Sequence, residues 1–157
     1  MPTVRGSHVP PPVWFAATLI VQRMLSRNRA STAASRTVSG VITAASGLLA
    51  ISSVATLVRA GAEISPVHPE QSAVLVTEGP FRVSRNPVYL ALAGILVANA
   101  VLRRSIVALG AVAGFVAVLD RTQVPAEEQA LSKTFKREYE KYRASTPRWI
   151  GRPAVRR

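Results

Sequence analysis

The sequence predicts an all-α fold: an integral membrane helical bundle of about four transmembrane helices, with a helical hairpin and a cytoplasmic amphipathic C-terminal helix. Three observations carry this expectation. Val38 to Val58 holds no charged residue over 21 positions, close to the ~20 residues that cross a hydrocarbon core. Pro87–Leu102 and Ser105–Leu119 are also uncharged, and only Arg103-Arg104 parts them, the pattern of a tight hairpin with two cations at its turn. All eight acidic residues lie at or beyond Glu63, in polar stretches outside these runs.

The first apolar stretch, Val13–Leu25, opens after Pro10-Pro11-Pro12 and is interrupted by Gln22 and Arg23. Its pattern suits either a short first span or an interfacial helix. Arg23, Arg27 and Arg29 follow where a small-residue cleavage site would stand, which argues against a signal peptide. The hairpin arms are short, about 23 Å each at the helical rise, so snorkelling arginines and local thinning must absorb the mismatch. Small residues four apart (Gly40/Ala44, Gly94/Ala98, Gly110/Gly114) predict close helix–helix packing.

Lys and Arg set the orientation. With four spans, 14 of the 20 bases fall on the side that holds the 59–86 loop and the C-terminal tail; without a first span, 13 do. Both counts place that loop and tail on the cytoplasmic face, together with every acid.

Composition narrows the function. The chain has no Cys and two His (His8 and His68), which excludes thiolate chemistry and argues against a metal site. A net charge of +12 with a mean hydropathy of +0.22 leaves a basic nucleic-acid binder or a small membrane protein. The uncharged runs favour the second, and bases interleave with aromatics only in the tail, so no nucleic-acid partner is expected. The 157 residues form a single domain, with N-terminal helices over 1–60 and the functional part over 61–157.

Two segments offer chemistry. The first is Leu75–Tyr89, LVTEGPFRVSRNPVY. Gly79-Pro80 is a turn signal, Pro87 suits the first turn of the next helix, and Asn86 or Ser84 is a candidate N-cap. Arg82 and Arg85 beside a helix N-terminus make an anion site, although the same pattern describes a plain capped helix start at an interface. The second is Pro125–Tyr142, in which Glu128, Leu131, Phe135, Tyr139 and Tyr142 form one helical stripe. Pro125 marks its start, with Glu127 and Glu128 in the first turn, where the macrodipole favours anions. The stripe reads either as an amphipathic helix on the membrane or as a carboxylate heading an aromatic face, a receptor for an organic cation.

Together the two segments resemble the isoprenylcysteine carboxyl methyltransferase-like family of integral membrane enzymes, which includes phospholipid methyltransferases. The family pattern G-P-[YF]-R-x-x-R-[HN]-P-x-Y is matched by Gly79-Pro80-Phe81-Arg82-Val83-Ser84-Arg85-Asn86-Pro87-Val88-Tyr89. After a hairpin, E-E-x-x-L-x-x-x-F-G-x-E-Y-x-x-Y is matched by Glu127-Glu128, Leu131, Phe135, Glu138-Tyr139 and Tyr142. Gly61…Pro66, Leu75-Val76-Thr77 and the prolines of Val9–Pro12 extend the likeness. Two positions depart from it: Asn86 stands where some members have His, and Lys136 replaces a Gly, so the helix is expected to continue there.

The resemblance implies S-adenosylmethionine as cofactor. It places Arg85, Asn86, Pro87 and Tyr89 on one side of the site and Glu127 and Glu128 on the other, with Tyr139 and Tyr142 in support. Arg85 and Asn86 are the candidate catalytic residues. The cofactor's sulfonium and ammonium want a carboxylate, and its carboxylate wants an arginine. An amine acceptor would need a base that the motif lacks, so a small apolar or lipid-like acceptor with a carboxylate or similar nucleophile is expected, reached from the lipid bilayer. The resemblance also suggests a bacterial inner membrane. The alternatives are a non-catalytic membrane scaffold and a sterol-reductase-like NADPH-binding protein.

Overall fold

Four apolar helices run antiparallel and a polar fifth helix closes one end of the bundle. The computed structural model describes residues 9–26, 30–62 and 74–153. The helices are α1 (Pro11–Leu25), α2 (Ala33–Arg59), α3 (Pro87–Leu102), α4 (Ile106–Arg121) and α5 (Gln123–Ser145), with a 3-10 turn at Gly79–Arg82. No strand occurs among the described residues. Arg5, Glu63, Pro66 and Glu70, which entered the sequence reading, lie outside them.

Local chemistry sets the boundaries. Pro11 and Pro12 occupy the first positions of α1, where a missing N–H costs no bond. Thr32 and Ser35 form a reciprocal capping box on α2 (3.1 and 3.0 Å). Gly61, at φ +67°, ends α2: the N–H groups of Gly61 and Ala62 reach Val58 O and Leu57 O. The hairpin turn has the same geometry, with Arg104 at φ 52° in the position glycine usually fills, and Ser105 then caps α4 through the Ala108 N–H.

α2 and the continuous run Ile106–Ser145 are long and apolar enough to cross a membrane, and α3 is a shorter apolar helix. The apolar part of the second run is α4, because α5 is rich in Lys, Arg and Glu. α1 runs the whole length of the hairpin. Near its start Phe15 meets Phe115 edge to face at 6.4 Å, and near its end the buried Gln22 reaches Leu96 O and Ala108 O beside the hairpin turn. This packing sets α1 beside the hairpin, although α1 is not among the helices long and apolar enough to cross a membrane. The main core joins Ala93, Leu96, Val112, Phe115 and Leu119, with Trp14, Leu19 and Trp149 against it.

Of the expected small-residue pairs, only Gly94/Ala98 lies at a helix contact. A Cβ on Gly94 would stand 2.2 Å from Ser46 Oγ, and Ser39 Oγ donates to Ala98 O at 2.8 Å. Gly40, Gly110 and Gly114 meet nothing, which corrects the expectation for the other two pairs. α2 instead turns Ser39, Ser46 and Ser53, seven apart, toward the bundle. Spacing alone does not fix which face of a helix is packed.

Candidate functional site

The motif Gly79–Tyr89 folds across the polar end of the bundle. Gly79 takes φ +57°, and Phe81 is buried in a cluster with Tyr139 and Tyr142, flanked by Leu57, Leu75, Leu131 and Phe135. Tyr142 donates its hydroxyl proton to Phe81 O at 2.7 Å. The aromatic stripe of α5 therefore holds the motif turn in place, with the Tyr139 and Tyr142 rings edge to face at 6.2 Å.

The stripe survives a break that the sequence reading did not anticipate. Lys136 has φ 43° and ψ −114°, so α5 kinks there instead of continuing. The backbone needs this conformation where the family pattern has Gly, and an L side chain adopts it only under strain. The start of α5 also differs: it begins at Gln123, with Pro125 inside its first turn and no acid there. Glu127 and Glu128 thus stand past the first turn, and side-chain partners rather than the helix end stabilise them.

Arg85 and its neighbours are stitched to a strap following α5. Arg85 N–H donates to Pro147 O (3.0 Å), Ser84 Oγ to Arg148 O (3.2 Å) and Asn86 Nδ2 to the same carbonyl (3.0 Å). Pro87 begins α3 as expected, but neither Asn86 nor Ser84 caps it with a side-chain bond. Both are buried and spent on the strap, and Ser84 Oγ also accepts the Asn86 N–H.

At the centre lies Glu128. Arg85 Nη2 donates to its Oε1 at 2.8 Å, and Arg148 grips it through Nε (3.0 Å to Oε1) and Nη2 (2.6 Å to Oε2). Arg148 Nη1 continues to Asp120 Oδ1 at 3.1 Å, which also accepts from Trp149 Nε1 at 2.8 Å. The hydrogen bonds from its guanidinium to Glu128 hold Arg148 well above the usual arginine range. The expected receptor face for an organic cation at Glu128 is therefore closed here: two guanidinium groups take the carboxylate, and Tyr139 is fully buried. The missed residues are Arg148, Asp120 and Trp149. The Pro147-Arg148-Trp149 stretch has no periodicity or motif to announce it.

Glu127 forms a second centre. Tyr89 Oη (2.5 Å) and Gln123 Nε2 (2.8 Å) both donate to its Oε1, leaving Oε2 outside these two bonds. Burial raises its carboxyl above the ordinary range, against the pull of those two donors. Arg85 Nε is a buried donor without a partner. A carboxylate and an orphaned guanidinium N–H on the two motif segments suit, by their chemistry, a ligand that carries both a cation and a carboxylate. Of the predicted residues, the fold thus pairs Arg85 with Glu128 and Tyr89 with Glu127. Asn86 and Pro87 fix the turn between them, and Tyr139 and Tyr142 support it from below.

The fold and this centre define a helical membrane protein with a polar, hydrogen-bonded end. A family model described as phospholipid methyltransferase matches residues 35–138, and the chain belongs to that family of membrane methyltransferases. The match runs from α2 into α5; it includes Arg85, Asn86, Pro87, Tyr89, Glu127 and Glu128, and stops before Tyr139, Tyr142 and Arg148. No curated protein and no solved structure matches the chain.

Proposed function

We propose that the protein is a membrane methyltransferase that uses S-adenosylmethionine to methylate a small apolar or lipid-like acceptor through a carboxylate or similar nucleophile. The observation that carries this reading is the Arg85–Glu128 pair with its neighbour Tyr89–Glu127, which joins the two motif segments into one polar centre. Arg85, Asn86, Pro87, Tyr89, Glu127 and Glu128 would hold the cofactor, with Tyr139 and Tyr142 behind them. The Arg85 Nε–H would serve the ligand's carboxylate and Glu127 its cationic groups, while Glu128, held by Arg85 and Arg148, fixes the Arg85 guanidinium in place. When bound, the cofactor supplies an activated methyl carbon.

The chain's own contribution is alignment. Methyl transfer is an in-line displacement, for which fixed positioning supplies much of the rate. Three hydrogen bonds from Ser84, Arg85 and Asn86 to carbonyls of the strap at 146–149 hold the motif backbone and the Asn86 side chain, and Glu128 and Arg143 O hold the Arg85 guanidinium, before any ligand arrives. Asn86 orients without titrating, which suits an acceptor that is already anionic. The polar end would then face the cytoplasm, a reading that the distribution of basic residues supports.

Calorimetric binding of S-adenosylmethionine to the purified protein tests this. The wild type binds, and Glu128→Gln and Arg85→Ala each weaken binding at least tenfold. Binding untouched by both substitutions overturns the site. No binding at all points to a scaffold, and competition by NADPH points to reductase-like chemistry.

A further inference from the structure

The Arg85 guanidinium meets its neighbours with two of its three nitrogens. Nη2 donates to Glu128 Oε1 at 2.8 Å and Nη1 to Arg143 O at 3.4 Å, while the buried Nε finds no partner among the described residues. A guanidinium is planar, so anchoring both terminal nitrogens also fixes the direction of the Nε–H. The Arg143 bond is long and the Glu128 bond short, so Glu128 is the anchor that decides this aim. Glu128 stands past the first turn of α5, and its own orientation depends on side chains.

Arg148 supplies that orientation. Its Nε and Nη2 hold the two oxygens of the Glu128 carboxylate at 3.0 and 2.6 Å, a fork that stops the carboxylate from turning. Arg148 is fixed in turn through Nη1, which donates to Asp120 Oδ1 at 3.1 Å, and Trp149 Nε1 holds the same oxygen at 2.8 Å. Trp149 packs against the main core. The side chains of Arg148 and Asp120 are 34% and 38% exposed, those of Arg85 and Glu128 only 9% and 14%. A line of alternating charges therefore runs from the surface at the end of α4 into the buried centre. Its two guanidinium groups and two carboxylates cancel, so the line brings order and no net charge.

We infer that Arg148 and Asp120 are positioning residues that set the selectivity of the site for a ligand carboxylate, by aiming the free Nε–H of Arg85 through Glu128. With S-adenosylmethionine as that ligand, this rests on the function proposed above. Neither residue acts on the ligand directly: Asp120 holds Arg148, Arg148 holds Glu128, and Glu128 holds Arg85. A charge-assisted hydrogen bond is strong when straight and weakens steeply as it bends, so a loosened guanidinium loses the carboxylate first. A bare effect of charge has the opposite sign. Decarboxylated S-adenosylmethionine keeps the sulfonium and the ammonium and so carries more net positive charge than its parent. Removing the Asp120 carboxylate penalises the more cationic ligand and raises the preference for the parent. Loss of aim lowers that preference.

Calorimetric titration of the full-length protein in detergent with the two ligands reads this sign. The wild type prefers S-adenosylmethionine over its decarboxylated form by about tenfold, the equivalent of ~1.4 kcal/mol. Asp120→Asn lowers the preference about threefold, in proportion to a part-exposed ion pair. Asp120→Glu keeps it, and Arg148→Gln abolishes most of it, while affinity for the decarboxylated ligand changes little. Asp120→Asn leaves the fork on Glu128 in place and so decides the matter even where Arg148→Gln does not fold. A preference unchanged or raised in Asp120→Asn overturns the inference. So does an equal fall in affinity for both ligands, the mark of a merely structural support, and so does a wild type that binds the two ligands equally. These three outcomes leave the binding of S-adenosylmethionine standing. A wild type that binds neither ligand overturns the proposed function and this role together.

Discussion

Arg148 lies against Glu128 in a two-pronged contact, Nε and Nη2 each donating to a different carboxylate oxygen at 3.0 and 2.6 Å. Arg85 approaches the same carboxylate from the α3 side at 2.8 Å. Three charges from three parts of the chain thus meet: the motif before α3, the start of α5, and the strap after it. A lysine at 148 keeps the charge and loses the fork. Arg148→Lys is expected to lower stability by about 1–2 kcal/mol, since a charge-assisted hydrogen bond contributes about that much. Thermal unfolding in detergent measures it, and Arg148→Ala must cost more.

Glu127 separates stability from function. Its carboxyl is raised by burial, so the folded state resists its ionisation more than the unfolded chain does. The sign follows by linkage: no penalty exists below the ordinary carboxylate range, and it grows as pH rises through that range to the raised value. Glu127→Gln is expected to unfold at the same temperature as wild type at low pH and at a higher temperature at neutral pH. Its affinity for S-adenosylmethionine falls over the same range. Paired melting and binding curves from below the carboxylate range to neutrality check both signs.

Lys136 stores strain. Its φ of 43° with ψ of −114° belongs to glycine, and such a residue costs about 1–3 kcal/mol when another amino acid holds it. Lys136→Gly is therefore expected to stabilise the protein by about 1 kcal/mol, net of glycine's extra freedom in the unfolded chain. Lys136→Ala should gain nothing, because alanine keeps the Cβ. Equal melting of the two variants would show that the Cβ does not set the cost of the kink.

This kink marks how far the sequence could be read. The uncharged runs, the Arg103-Arg104 turn and the two ordered motifs announce the helices and single out Arg85 and Glu128, but not that these two pair directly, because hydropathy and local spacing are encoded within short windows and the pairing is not. Lys136 misleads because a lysine favours helix on its own, while residues on both sides of its kink, Leu131 and Tyr142 among them, join the one cluster around Phe81. Arg148 is silent for a different reason. Its partners, Glu128 and Asp120, are reached only after the chain doubles back, and an isolated arginine carries no period.

Gly94 fixes the distance between α2 and α3. Its missing Cβ would lie 2.2 Å from Ser46 Oγ and 3.2 Å from Ser46 Cβ. Gly94→Ala is expected to cost about 1–3 kcal/mol, the usual price of overpacking. Ser46→Ala should return part of that loss by removing the closer atom. Four melting curves from wild type, both single variants and the double variant give the coupling, and additivity would place the two residues apart.

Gln22 tests whether α1 belongs to the bundle. It is fully buried, and its Nε2 donates at 3.0 Å to both Leu96 O and Ala108 O. Its Oε1 accepts from Asn99 Nδ2 at 2.7 Å, and Asn99 Oδ1 accepts from Arg103 Nε at 3.2 Å. A residue that interrupts an apolar run in the sequence is thus the contact that ties α1 to both arms of the hairpin. Polar side chains bonded across membrane helices contribute about 0.6–2 kcal/mol each. Gln22→Leu is expected to lose about that much and to leave the Asn99 amide without its acceptor. Asn99→Leu removes the same bond from the other side. The double variant should then cost less than the sum of the two, by about 1 kcal/mol in a thermal double-mutant cycle. Strict additivity, with Gln22→Leu as stable as wild type, would mean that α1 lies on the membrane surface and not beside α4.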